Sequence, residues 1–274
     1  MEALDPPTTL VRIPHCALLD VRETATFLRG HLAGSGCIPL AELRARRGEL
    51  PPRAAPVLLV ADDPGRAAEA ARAVEALGYA RVAYLAAPLA ELEGGLADTG
   101  PPARLWHPSP FLERVLPSLP RGRALDLAAG AGREAVFLAL QGFDAEAWDH
   151  DREILERARE MAARHGVRIG TRVYNLERRH PELPEADHQL VTVFRFLHRP
   201  LFPHVERAVA PGGCLIYETY LRGQERFGRP KHPRFLLDPG ELPGAFPGLR
   251  TEVYEESTPP EGPFMARLLA RKPG

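Results

Sequence analysis

From Ala124 to Ala135 the chain reads ALDLAAGAGREA: an apolar strand carrying one acid, Asp126, then a loop of small residues with Gly130 and Gly132, then the start of a helix. A strand that turns this sharply into a helix packs the helix back on the sheet, which commits the region to βα units and a largely parallel sheet. The loop also gathers backbone N–H groups and a helix N-terminus at one point, where a ligand can approach the main chain. Gly130-x-Gly132-x-x-Ala135 fits the dinucleotide-binding pattern, a weak signal alone. A carboxylate just before the loop suits a cationic ligand group and suits a pyrophosphate badly. A tight turn with no ligand is the alternative reading.

The same alternation runs through the whole chain. Strands are predicted at Ala124–Ala128, Ala145–Asp149, Thr171–Tyr174, Leu190–Phe194 and Cys214–Glu218, with helices at Arg133–Gln141, Arg152–His165 and Phe202–Val209. Arg250–Glu255 and Phe264–Arg271 read as two strands joined by a Pro/Gly turn with no helix between, unlike a plain dehydrogenase fold. Upstream, Ala17–Val21, Val57–Val60 and Val82–Leu85 read as short buried strands, and Arg66–Leu77 as a helix stopped by Gly78. Between the two regions, Asp98 to Ala103 is small, polar and rich in Pro and Gly. The 274 residues therefore divide into a smaller α/β domain at 1–97, a linker at 98–109 and a larger α/β domain at 110–274.

Composition narrows the function classes. A net charge of -1 leaves no global field to recruit nucleic acid or an anionic membrane. Cys16, Cys37 and Cys214 are distant from one another and form no Cys-x-x-Cys, so neither a disulfide scaffold nor a metal site is expected. Acids at Glu2 and Asp5 and the Pro6-Pro7 pair stand where a signal peptide would be basic and then apolar, and no apolar run approaches about 20 residues, so a cytoplasmic protein is expected. Abundant Ala, Pro, Leu and Gly, with Lys only at Lys231 and Lys272, point to a GC-rich bacterial genome.

Asp149 ends the second strand of the larger domain, 23 residues after Asp126, the spacing of an acid that accepts hydrogen bonds from ribose hydroxyls. Asp151 reads as the cap of the next helix. Asn175 follows the third strand, where its amide suits an adenine edge or an ordinary turn. DLAAGAGREA, WDHD, YNLE (Tyr174 to Glu177) and APGGCLIYET (Ala210 to Thr219) resemble, in order and spacing, the motifs of class I S-adenosylmethionine (SAM)-dependent methyltransferases. The nearest subgroup is the bacterial tellurite-resistance and thiopurine-type enzymes. The resemblance covers about Pro110 to Lys272. It implies a Rossmann-like, mostly parallel seven-stranded sheet with a C-terminal antiparallel strand. It also implies SAM as cofactor, held by Asp126, Ala128, Gly130, Gly132, Asp149, His150, Asn175 and Leu176. Ala128 stands where many members have the first glycine of the loop.

In that family the end of the fourth strand faces the reacting methyl group, which would bring Arg195, His198, Arg199 and, after the next strand, Tyr220 to the substrate side. For His198 a capping role is the equal alternative. RGQERFGRPKHPR, Arg222 to Arg234, holds five cations including Arg226 and Arg229 against one acid, Glu225. It reads as a basic lid over an anionic substrate, a phosphate-tracking patch, or a solvated loop. No Asn-Pro-Pro-Tyr motif and no cysteine beside the fourth strand argue against adenine-N6, protein-glutamine and cytosine-C5 methylation.

Leu18 to Leu40 resembles a rhodanese-like domain, with an Asp-Val-Arg strand end, then Gly-His-x-x-Gly and Ile-Pro; Val57 to Tyr79 continues the match. Active rhodaneses carry a cysteine where this chain has Ala61, before a loop whose amides cradle an anion. Here the loop is Asp62-Asp63-Pro64-Gly65-Arg66, with two carboxylates and a proline that lacks an N–H. Cys37 reads as a small core residue. The expected whole is a methyltransferase acting on a small or anionic acceptor, with a non-catalytic rhodanese-like module for a protein partner. A tRNA or rRNA methyltransferase is the alternative enzyme, with nucleic acid not favoured, and a SAM-binding sensor or scaffold is the alternative from another class.

Overall fold

The structure is a computed structural model that describes residues 1–92 and 98–274. The chain forms two compact units, Met1–His107 and Pro108–Gly274.

The first unit contains β1 (Glu2–Leu4), α1 (Pro6–Arg12), β2 (Ala17–Asp20), α2 (Thr24–Phe27), β3 (Gly36–Cys37), β4 (Val57–Val60), α3 (Pro64–Ala76) and β5 (Val82–Leu85). Its sheet is parallel, in the order β1-β5-β4-β2-β3. All four residues of β4 are buried, which is why this central strand reads as an unbroken apolar run rather than an alternation. α3 starts where Asp63 caps it by accepting the Gly65 N–H at 2.8 Å, with Pro64 in its first turn. Its buried stripe, Ala67, Ala70, Ala71 and Val74, packs in one cluster with Leu59 of β4 and Val82 of β5. The segment read as a linker at 98–109 begins within this unit: His31 bridges Asp98, and the Ala103 N–H donates to Ser35 O at 2.9 Å. Its Pro/Gly-rich backbone finds partners there.

The second unit contains α4 (Pro110–Val115), β6 (Arg123–Leu127), α5 (Arg133–Leu140), β7 (Asp144–Asp149), α6 (Arg152–Arg164), β8 (Gly170–Val173), β9 (His188–Phe194), α7 (Phe202–Ala208), β10 (Val209–Tyr220), α8 (Glu241–Ala245), β11 (Arg250–Ser257) and β12 (Met265–Arg271). The seven strands run in the order β11-β12-β10-β9-β6-β7-β8. β12 is antiparallel to both its neighbours, while β8, β7, β6, β9 and β10 are mutually parallel. This is the Rossmann-like, seven-stranded arrangement that the family resemblance implied, with the closing strand pair read from the sequence. The chain leaves β6 toward β7 and β8, then returns to β9 and β10 on the other side. β6 and β9 therefore flank the point where strand order reverses, and a crevice opens beyond their C-terminal ends. The core of this face joins Leu125 and Leu127 of β6 to Val191 and Val193 of β9 and Leu215 and Tyr217 of β10, all essentially buried. Among the described residues no helix is long and apolar enough to cross a membrane.

Candidate functional site

The loop after β6 is held in an unusual backbone path. Ala128, Gly130 and Gly132 all have positive φ, at 57°, 53° and 76°. For Ala128 this is a costly conformation, since a Cβ crowds the following carbonyl there, and it accounts for the glycine common at this position. Gly132 caps α5, and a Cβ on it would lie 2.6 Å from the Cβ of Ala158 on α6. Gly130 instead faces open space, with nothing within 4 Å of the place its Cβ would take. The loop is thus closed against the protein on one side and open on the other.

Asp149, at the end of β7, fastens this loop. One carboxylate oxygen accepts the Gly130 N–H at 2.9 Å and the other accepts the Asp151 N–H at 3.1 Å. His150 lies beside it with Nδ1 3.0 Å from the carboxylate, its own side chain largely exposed. Each carboxylate oxygen can accept more than one hydrogen bond, so these contacts leave lone pairs for a ligand. Asp151 caps α6 through the N–H groups of Glu153 and Ile154, as expected. Asn175 is exposed and uses its side-chain oxygen to accept the Glu177 N–H at 2.9 Å, while Leu176 is buried beside it.

Asp126 is the most constrained acid of the site. It is 2 % exposed; Oδ1 accepts the Thr192 hydroxyl at 2.8 Å, but Oδ2 is buried with no partner. Burial, then the nearby Glu134, raise its carboxyl well above the usual range, opposed by the Thr192 hydroxyl and more weakly by the Ala135 N–H, which faces the carboxyl without completing a hydrogen bond to Oδ2. Glu134, in the first turn of α5, is itself 8 % exposed and raised by burial, an effect opposed by the Arg195 guanidinium. A buried oxygen lacking a partner is costly. A cation that reached Oδ2 would remove that cost and favour the ionised form.

Beyond the C-terminal end of β9, Arg195 has a positive φ of 54°, pinned by its N–H donating to Glu218 O at 2.7 Å. Its side chain and Tyr220 line an open cleft of about 510 Å³, which Arg229, Lys231, His232 and Phe235 of the basic segment complete. The other predicted residues are engaged elsewhere. Arg199 grips Glu241 at 2.6 Å and 2.7 Å and donates to Arg234 O and Leu236 O, so it ties the basic segment down. Arg226 donates to Gly223 O at 3.3 Å and lies over the Phe264 ring at 5.4 Å. Arg222 pairs with Asp238. His198 is half-buried at the start of a short 3₁₀ turn and makes no capping bond with its side chain.

The site also has members that the sequence reading did not single out. Glu134 and Thr192 carry no local signal that separates them from an acid in a helix's first turn and a β-branched residue in a strand. Glu218, buried at the end of β10, accepts hydrogen bonds from Ser109 and Arg267, each at 2.9 Å, and so ties the start of α4 to β12. Lys231, His232 and Phe235 belong to the basic stretch that was recognised.

In the first unit, Ala61 follows β4, and Asp63 is spent on capping α3. Asp62 is exposed but lies 3.2 Å from Arg22, which forms a buried pair with Asp20 at 2.7 Å. Cys37 is buried, and burial pushes its thiol up to about 11.

Two family models match the chain: the rhodanese-like domain over residues 8–91 and the tellurite resistance protein TehB over residues 113–214. The S-adenosyl-L-methionine-dependent methyltransferase TehB of Haemophilus influenzae is 28% identical over 83 residues, 30% of this chain and 29% of the relative. The ribosomal RNA small subunit methyltransferase B of Thermus thermophilus is 28% identical over 48% of this chain and 41% of its own length. The chain thus spans less than a third of the TehB relative and less than half of the other. The crystal structure of Haemophilus influenzae TehB matches with a TM-score of 0.49 at 20% identity, covering 59% of this chain and 60% of that one. That of a SAM-dependent methyltransferase from Mesorhizobium loti matches with 0.47 at 20% identity, covering 58% and 96%. Residues 8–91 thus match the rhodanese-like domain and residues 113–214 the tellurite resistance protein TehB, so the chain joins a rhodanese-like segment to a TehB-like one.

Proposed function

We propose that the second unit transfers the methyl group of SAM to a small anionic acceptor in the cleft beside β9 and β10, while the rhodanese-like unit is a non-catalytic docking module for a protein partner. The observation that carries the reading is the buried, unpartnered Oδ2 of Asp126 beneath a loop whose Gly130 faces open space. When bound, SAM supplies a methyl group activated by a positively charged sulfur. The chain's residues then divide the remaining work. Asp126 takes the ammonium of the methionine moiety, and Asp149 accepts from the ribose hydroxyls with the lone pairs its loop contacts leave. His150, Asn175 and Leu176 border the adenine, and the amides around Ala128, Gly130 and Gly132 approach the methionine moiety. Arg195, Tyr220 and Arg229 hold the acceptor, and proximity in one orientation supplies most of the rate.

Ala61 supports a silent rhodanese-like unit: it cannot form a persulfide, and the buried, high-pKa thiol of Cys37 is a poor nucleophile. Calorimetry with SAM and S-adenosylhomocysteine (SAH) tests the cofactor half. Micromolar binding that is lost in Asp126→Ala supports it, and binding of NAD in place of SAM overturns it. The similarity to a ribosomal RNA methyltransferase favours a second reading, an RNA acceptor along the basic segment. Labelling metabolites and RNA with methyl-labelled SAM separates the two, and a steep fall of acceptor affinity with salt marks RNA.

A further inference from the structure

We infer that the acceptor is an aromatic carboxylic acid and that its carboxylate is the group methylated; this rests on the methyl-transfer reading above. What the cleft lacks matters as much as what it holds. Four of its lining side chains are cationic or imidazole: Arg195, Arg229, Lys231 and His232. Among the described residues, no carboxylate lines it, and neither Arg229 nor Lys231 has an acidic partner. His232 is not a free base either. Its Nδ1 accepts the Arg234 N–H at 3.2 Å, so the neutral ring carries its proton on Nε2 and offers a donor. Of the buried acids around it, Glu218 is occupied by Ser109 and Arg267, Glu134 faces the Arg195 guanidinium, and Asp126 lies under the glycine loop.

A cleft of donors sets the chemistry. When a carboxylate oxygen attacks the methyl carbon, an O–C bond forms and the C–S bond breaks with its electron pair going to sulfur. The negative acceptor and the positive sulfonium cancel, and no proton is released. A neutral alcohol or amine would release one, and the cleft has neither a carboxylate nor a free imidazole lone pair to take it. The acceptor therefore attacks already ionised. Guanidinium forks match the two-oxygen edge of a carboxylate, a match a thiolate does not offer. The body of the ligand is set by the remaining walls: Tyr220 and Phe235 bring two aromatic rings to the lining, the latter with the Arg234 guanidinium 4.3 Å from its centroid. At about 510 Å³ the cleft has the size of an organic-ligand site, and a lone inorganic oxyanion would leave most of it unfilled.

The test uses the full chain saturated with SAH. Benzoate and 2-naphthoate are titrated against benzamide and 2-naphthamide, with inorganic phosphate as a further arm. At least one acid should bind tenfold or more tightly than its amide, and Arg229→Gln with Lys231→Gln should erase that ratio while SAH affinity stays put. Ratios near one for both pairs, or phosphate binding more tightly than either acid, overturn the inference. With methyl-labelled SAM and a panel of benzoate, 2-hydroxybenzoate, 2-naphthoate and indole-3-acetate, the label should appear in product and leave as methanol in mild alkali. Alkali-stable label, or no label across the panel, also overturns it. Failure of SAH itself to bind would instead sink the methyl-transfer reading.

Discussion

The loop after β4 and the loop after β6 solve the same local problem, a parallel strand turning into a helix, with opposite outcomes. After β4 the chain satisfies itself: Asp63 caps α3, Pro64 withholds an N–H, and Arg22 reaches toward Asp62. After β6 the turn is made with backbone strain at Ala128 and glycines at 130 and 132, and a buried acid is left with an unpartnered oxygen. Closure uses up the donors and space that a ligand would need. The open loop leaves unfavourable groups standing in the empty site, and a cation can relieve them.

The sharpest way to break this contrast is to fill the open loop. Gly132→Ala forces a Cβ against Ala158 at a positive φ, and we expect about 2–4 kcal/mol of lost stability from overpacking and backbone strain together. Chemical denaturation measures this, and a loss under about 1 kcal/mol would show that the packing at Ala158 is soft. Next comes Asp126→Asn. SAM affinity should fall by about 1–3 kcal/mol with the charge-assisted bond, while the unliganded fold is as stable or more so, because a buried carboxylate is removed.

The folded carboxyl of Asp126 is raised, so its share of unliganded stability is present at low pH and lost as pH rises through the folded value. Over the same interval SAM affinity should rise, as the acid ionises. Parallel melting and calorimetry across pH 5–9 show whether both trends exist and vanish in Asp126→Asn.

On the closed side, Asp63→Ala removes the cap of α3 and should cost about 1 kcal/mol, read as a drop in melting temperature. Smallest of all is Ala61→Cys: thiosulfate:cyanide sulfurtransferase activity should stay at background, since the spent loop offers no cradle. Turnover in that variant, or in the wild type with sensitivity to Cys37→Ser, would erase the distinction between the two loops.

Much of this contrast was legible in the sequence. Buried parallel strands such as β4 and β9 read as apolar runs, and the glycine spacing marked the open loop. β1 escaped notice because three residues at a sheet edge, Glu-Ala-Leu, carry no periodicity. The linker reading of 98–109 took Pro and Gly as signs of a free segment, but backbone groups at Asp98 and Ala103 find partners without apolar side chains to announce it. In the site, charge identified the basic segment but could not sort it. Arg199 and Arg229 look alike in sequence, and only the placement of Glu241 makes one a tether and leaves the other facing the cleft. Asp63 read only as one of two loop carboxylates, and its role as a cap was missed because capping depends on where the helix begins.

The left-handed alanine at 128 has a further consequence. Glycine there would reach the same turn at little cost, but would also let the free loop wander among many others. Alanine narrows that set. Ala128→Gly should therefore steady the fold by about 0.5–1 kcal/mol, through relief of strain, yet slow the capture of cofactor, as fewer encounters find the loop already shaped. The methyl group of one alanine would then act as a timing element, setting how often the empty site is ready.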